Sequence, residues 1–546
     1  MTRDQHERDS NVHNMDDFRE MRNQRPRDTR AVFVYDEGEI ARLVREVQPH
    51  LTKLKLYRRE HRLVHVLHET APASNEDGKE RFTEKPVIQQ ASRDWLQSNM
   101  TDCVAFLKQI NMTNSRRIDP PLSIVAGLLA NATSSIFPVL KGIISAPTMR
   151  PDGTILDQPG YDKATGFVLI SNIKLGKVGE TKAEAKAALG RLNALLDEFP
   201  FVSAASRASA LSALMTPVVR AAFPLAPIHC VRAPSSGSGK SYLCNLVAYL
   251  ASGARMPVIV KTGKTNDELD KRIGAALIQG SPLICIDNLN ESDGFNSNTV
   301  AAAVTEHKVE LRTLGSNTDV REIDTTGFTF FMNGNNLNFV DDMTRRHIKI
   351  ELDPDEENPF RKAFKQKPDE LIARNRAQYL TDVLTICRAY RQCGSPNAKG
   401  DSAFDGWSRL VRSSLIWLGC DDPIDTQISD EVVDPQKELR IAVFEGIWEH
   451  ESLRNKFTAR GLTTSIATGT ALDDCLNQIC GPSRAGGYDT KALGKWLGAN
   501  TNQIANGLKL VKLSIESKGR LHYQIALTEA GKRERDRAPK ADAREE

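Results

Sequence analysis

An α/β protein with a parallel central sheet is the expectation for this chain, and three features carry it. Between Ala226 and Asp353, five short runs rich in β-branched and aromatic residues (PIHCVRA, MPVIVK, SPLICID, TGFTFFMN and HIKIEL) alternate with helical patterns. Near-continuous apolar runs are how strands buried on both faces read. The first run leads directly into APSSGSGKS, Ala233 to Ser241, and then into the helix pattern KSYLCNLVAYLA, so a glycine-rich turn joins strand to helix. Finally, 40% hydrophobic and 26% charged residues are the proportions of a globular chain.

With 546 residues the chain exceeds one ordinary core and is expected to hold about three domains. Residues 1–30 carry balanced charge and almost no apolar side chains, which is too little to offset the entropy of ordering, so a tail is expected. From Ala31 to Asn172, the runs AVFVY, RLVHVLH and FVLIS, a helix pattern near Glu39 to Glu46 and a turn at Pro151-Asp152-Gly153 suggest a small α/β domain, bounded at 31–180. His61, His65 and His68 could suggest zinc, but a strand through RLVHVLHE puts His65 and His68 on opposite faces. Thr181 with Glu184 forms a capping box that opens a helical lead-in over 181–225, with a second helix from Ser203.

The sheet-forming core is placed at 226–355 and a helical region, including an apolar stripe from Trp407 to Trp417, at 356–435. Over 436–531, a helix at Lys491 to Leu497, a second at Asn502 to Leu510 and two strand-like runs about Lys518-Gly519 suggest a winged helix; 532–546 reads as another tail. Nine cysteines include no C-x-x-C pair, and Cys230, Cys244, Cys285 and Cys387 lie in apolar segments, as buried free thiols do. No apolar run approaches the roughly 20 residues that span a bilayer, and the alternating acidic and basic start does not read as a secretory signal, so none is expected. A cytoplasmic location without membrane contact is therefore expected.

The glycine turn assigns residues to nucleotide chemistry. Pro234, Ser235, Ser236, Gly237, Ser238, Gly239, Lys240, Ser241 and Tyr242 would surround phosphate, chiefly through backbone N–H groups, of which Pro234 has none to give. It stands where G-x-x-x-x-G-K-[ST] begins with glycine. Lys240 would reach the β and γ oxygens and Ser241 would offer a hydroxyl to Mg2+, making ATP and Mg2+ the expected ligands. SPLICIDN ends in Asp287, a metal candidate on a strand expected next in the sheet to that of the glycine turn. Asn288 can orient a water but cannot accept its proton, which leaves the base open, with Glu291 an alternative. Asn333, ending the TGFTFFMN strand, suits a sensor of the γ-phosphate. Arg345 and Arg346, just before the last strand, suit a finger directed at a neighbouring subunit's nucleotide.

This order of motifs resembles the superfamily 3 helicases and their AAA+ relatives. Over most of residues 31–530 the chain also resembles phage and integrative-element primase-helicase-like ATPases, through strings such as APTMRPDGTILDQPGYD, EFPFV, APSSGSGKS, LRTLGSN, NGNN, DMTRRHIKIELD, WSRLVRSSLIWLG and ALGKWLGANTNQIANGLKL. The resemblance implies an AAA+ ATPase core assembled as a hexameric ring that translocates on single-stranded DNA for replication of a mobile element. The stretch after Ala31 is short for a primase-polymerase and carries no D-x-D strand, so a separate primase or other replication proteins would be partners.

DNA contacts are sought in local patches, because a net charge of +3 says little. VELRTLGSNTDVREID reads as a hairpin turning at Gly315-Ser316-Asn317, with Lys308, Arg312 and Arg321 as phosphate contacts. In the C-terminal module, Lys495, Asn502, Lys509 and Arg520 would face duplex DNA. Two other readings stand beside a helicase: a loader or remodeller of replication proteins that does not unwind DNA, and a DNA-binding regulator switched by ATP.

Overall fold

The computed structural model describes residues 29–532 apart from 75–79, 235–236, 262–266, 290–294, 313–319, 336, 338, 340, 355–365, 401–402, 428–434, 482–486, 514–520 and 530. All but residues 29, 30 and 532 of the expected tails at 1–30 and 532–546, together with Ser235, Ser236, Glu291, the 315–317 turn and Arg520, lie outside the described residues. The fold is mixed α/β, with a five-stranded parallel sheet at its centre. Among the described residues no helix is long and apolar enough to cross a membrane.

Near the N-terminus, Ala31–Tyr35 pairs parallel with Val104–Gln109, which pairs antiparallel with Ser115–Ile118. The helices Ile40–Val47, Arg93–Met100 and Leu122–Ala130 pack with this sheet around Leu43, Val47, Leu96, Phe106 and Ile124. The RLVHVLH run is a strand, Arg62–Ser74, paired with Tyr57–Arg59 and Glu80–Gln90. His65 is buried there and its ring stacks on Trp95 at 3.9 Å, a packing role. The expected turn forms at Gly153 with φ 90, joining Thr148–Met149 to Ile155–Leu156.

Both bonds of the capping box form: Thr181 Oγ1 accepts from the Glu184 N–H, and Glu184 accepts from the Thr181 N–H. The helix it opens, Lys182–Ala194, packs along Pro368–Gln392, where Arg191 grips the buried Asp382 at 2.6 and 2.9 Å. Ser203 caps the next helix, Ala204–Met215.

The central sheet runs Val258–Val260, Leu283–Leu289, Thr329–Asn335, Ile228–Ala233, His347–Glu351. All five apolar runs are strands, buried on both faces where they sit centrally. One expectation is corrected: the strand ending in Asp287 is not next to that of the glycine turn, because Thr329–Asn335 lies between them. After Leu289 the chain crosses over through the helix Asn298–Thr305 and a hairpin before entering the sheet at the central position. Parallel strands need such crossovers, and crossovers free sheet order from sequence order.

His229, on the Ile228–Ala233 strand, is fully buried, 3.0 Å from Ser212 Oγ, stacked on Phe331 and edge-on to Trp407. Burial lowers its pKa from 6.5 to about 3. The folded chain therefore stays neutral at this ring where the unfolded chain takes up a proton, so the associated stability is full above pH 6.5 and lost as pH falls towards 3. At pH 5 this group alone is expected to cost about 2 kcal/mol. Urea unfolding of wild type and His229→Gln between pH 7.5 and 5 checks this; parallel pH trends would refute it.

The C-terminal unit holds the helices Pro435–Glu449, Ala459–Ser465, Ala471–Cys480 and Thr490–Ala499 with a three-stranded antiparallel sheet, Ile504–Ala505, Leu508–Lys512 and Tyr523–Leu527. The helix at Lys491 to Leu497 is present, but the one expected at Asn502 to Leu510 is not. Asn502, Asn506 and Gly507 have φ of 67, 45 and 71, which a right-handed helix excludes. Leu508 and Leu510 are buried while Lys509 and Val511 are only partly so, a two-residue period.

Candidate nucleotide site

The glycine turn sits at the C-terminal edge of the central sheet. Gly237 and Gly239 have φ of 79 and 92, which only glycine adopts without strain, and Gly239 is the N-cap of the helix Lys240–Ser252. That helix is held at its far end by Arg376, which donates to the carbonyls of Leu250 and Ala251 at 2.8 and 2.9 Å. Phe199 packs against the turn: a Cβ on Gly239 would lie 3.6 Å from its ring. Pro234 is exposed, Ser238 is buried and Ser241 is exposed at the start of the helix.

Lys240 is half-buried and donates to Ser238 Oγ at 3.1 Å. Burial lowers its pKa, and the nearby charge of Asp287 offsets part of that shift. Asp287 and Asn288 sit on a bulge, where register with the neighbouring strand slips between Ile286 and Leu289 and Asn288 takes φ 58. The bulge turns the Asn288 N–H toward Asn333, whose Oδ1 accepts it at 3.1 Å. Asn333 itself is 2% exposed and level with Val231 on the glycine-turn strand. The intervening strand thus joins the two candidate halves.

Tyr242 donates to Asp369 Oδ1 at 2.7 Å and stacks on Phe199. Asn335, absent from the sequence reading, pairs with Ala233 in register and carries a buried Oδ1 that has no hydrogen-bond partner among the described residues. Its signal was present in the doubled asparagines of NGNN. An orphaned acceptor, two left-handed glycines at a helix start, a desolvated lysine and a carboxylate at the ends of adjacent and near-adjacent strands fit a phosphate-bearing ligand with a divalent cation. A separate cavity bordered by Thr148, Phe167, Arg220 and Thr329 lies at the opposite ends of the strands and, at about 30 Å³, is far too small for a nucleotide.

Arg345 and Arg346 both pair with Asp342, at 2.7 and 3.0 Å, but the Arg345 side chain is 71% exposed and that of Arg346 19%. The hairpin is present as Lys308–Arg312 with Val320–Asp324. Its two-residue alternation puts Lys308 and Arg312 on the exposed face and Arg321 on the buried one. Lys308 pairs with Glu322 at 2.8 Å. Arg321 is corrected as a phosphate contact: it is buried against Glu60. In the C-terminal unit Lys495 and Asn502 are exposed and Lys509 partly so, with Asn502 in a turn rather than a helix.

No family model and no curated protein sequence matches the chain. Among solved structures, the apo form of a C-terminal region of NrS-1 is similar at a TM-score of 0.36 and 13% identity, over 88% of this chain and 99% of that one. The X-ray structure of JCV helicase is similar at a TM-score of 0.20 and 13% identity, over 44% of this chain and 69% of that one.

Proposed function

We propose that the chain is a P-loop ATPase of the AAA+ kind whose hydrolysis drives movement on DNA, a helicase-type replication motor of a phage or integrative element. The observation that carries this reading is the convergence of Lys240, Asp287 and Asn333 at one edge of a parallel sheet, tied by the Asn288 to Asn333 hydrogen bond. The Gly237 to Lys240 turn would hold the phosphates, with Lys240 as their fixed cation, and Ser241 and Asp287 would hold Mg2+. A bound Mg2+ would supply neutralisation of charge developing on the phosphoryl oxygens. Asn333 fixes the backbone beside the position where Asn288 would orient a water, which it can do without accepting the proton. The C-terminal helix and hairpin sheet suit a winged helix, and Lys491 and Lys495, exposed on the helix Thr490–Ala499, would meet DNA there.

Single-stranded-DNA-stimulated ATP hydrolysis by the full-length protein tests the motor. Arg345, more exposed than Arg346, is the better placed to reach a neighbouring subunit once Asp342 releases it, and a finger of this kind contributes about 10³-fold or more to turnover. Arg345→Ala is therefore expected to lose at least about a hundredfold in turnover and Arg346→Ala much less. ATP binding without hydrolysis by the wild type would instead favour a nucleotide-switched DNA-binding protein, the reading that the carboxamide of Asn288 supports.

A further inference from the structure

The tight turn between the strands Tyr57–Arg59 and Arg62–Ser74 puts Arg59 opposite Arg62 and Glu60 at φ 57. It reaches two elements of the central unit. Glu60 accepts from Arg321 Nε and Nη2, each at 3.1 Å, and the two side chains are 6% and 8% exposed. One residue earlier, Arg59 donates to the carbonyls of Ile278 and Leu277 at 2.6 and 3.0 Å, capping the end of the helix Asp267–Gln279. Just beyond that helix, a Cβ on Gly280 would lie 2.6 Å from Ile88 Cδ1, so the strand Glu80–Gln90 also presses close.

Arg321 shares the buried face of the hairpin with Val309 and Ile323, while Lys308 and Arg312 share the exposed face. We infer that the N-terminal module, through the Glu60–Arg321 pair, holds this hairpin in its working position and so couples DNA bound on its exposed face to ATP turnover; the coupling rests on the function proposed above. A bidentate pair so deeply buried cannot be loosened gradually, because removing one partner leaves the other charge desolvated and unmatched. The hairpin is either clamped to the turn or released from it. Arg59 and Asp324 add one further charge of each sign near the pair, and Asp324 also faces Arg220 and Lys308. Glu60 is a positioning residue: it acts on the hairpin and touches neither nucleotide nor DNA.

Hydrogen–deuterium exchange on the full-length protein tests the clamp. In Glu60→Gln, amides of 308–312 and 320–324 are expected to exchange at least tenfold faster than in wild type, with those of the Lys240–Ser252 helix unchanged. The reciprocal Glu60→Arg with Arg321→Glu chain is expected to restore the hairpin to within threefold. Unaltered hairpin exchange in Glu60→Gln would overturn the clamp. On the same proteins, the single-stranded DNA concentration giving half-maximal ATPase stimulation is expected to rise at least tenfold in Glu60→Gln, with the DNA-free rate within twofold and recovery in the reciprocal chain. Faster exchange with unchanged DNA dependence would overturn the coupling. Absence of DNA stimulation in the wild type would overturn both the motor and the coupling, and the exchange result would still decide the clamp.

Discussion

Lys240→Ala is expected to lower ATP turnover by at least about a hundredfold, the scale on which enzymes lose rate when a fixed charge-stabilising group is deleted. The ammonium is half-buried and already bears a desolvation cost, visible as its lowered pKa. A cation held in that state has few waters to reorganise when negative charge develops beside it, so its field acts nearly undiminished. Pro234 strengthens the dependence: the turn lacks one backbone N–H at its start, leaving more of the stabilisation to Lys240. Stability should respond differently. Lys240 is a partly desolvated cation whose bond to Ser238 lies within its own turn, so removing it costs the fold little and the unfolding midpoint is expected to stay near that of wild type. Turnover measured beside urea unfolding separates the two; a Lys240→Ala chain that folds and retains turnover within threefold would remove the nucleotide site from this turn.

The strands of the central sheet were legible because parallel strands buried on both faces leave continuous apolar runs, and the capping box was legible because its two residues lie three apart. What escaped the sequence depends on longer reach. The place of Asp287 in the sheet follows from which way the chain crosses over after Leu289, and nothing local to SPLICIDN encodes that. Arg321 looks like any hairpin cation until Glu60, 261 residues away, is brought against it. The Asn502 to Leu510 error was of another kind. Asn506-Gly507 is a strong turn signal and Leu508 and Leu510 alternate with Lys509 and Val511, so the strand is written locally in a two-residue spacing that a helix over this segment contradicts.

Gly334→Ala is expected to disable hydrolysis while leaving nucleotide binding largely in place. Gly334 is buried next to Asn333, opposite Leu289 across the bulge, and a Cβ there would lie 2.0 Å from the Leu289 carbonyl oxygen and 2.9 Å from its carbon. Backbone cannot rotate away as a flexible side chain can, so the Leu289 segment must move by more than an ångström or the strands must part. Overpacking of this kind costs about 3 kcal/mol. The displaced segment carries Asp287 and Asn288, and the 3.1 Å bond from the Asn288 N–H to Asn333 Oδ1 spans the same joint. Lys240 and Ser241 belong to a helix capped independently by Arg376, so phosphate contacts on that side persist. Nucleotide affinity is accordingly expected to fall by less than about tenfold while turnover falls by at least about a hundredfold, the loss expected when catalytic groups are misplaced by about 1 Å. Equal losses of affinity and turnover would mean the whole sheet edge had collapsed, and wild-type turnover would mean that the bulge plays no part in hydrolysis.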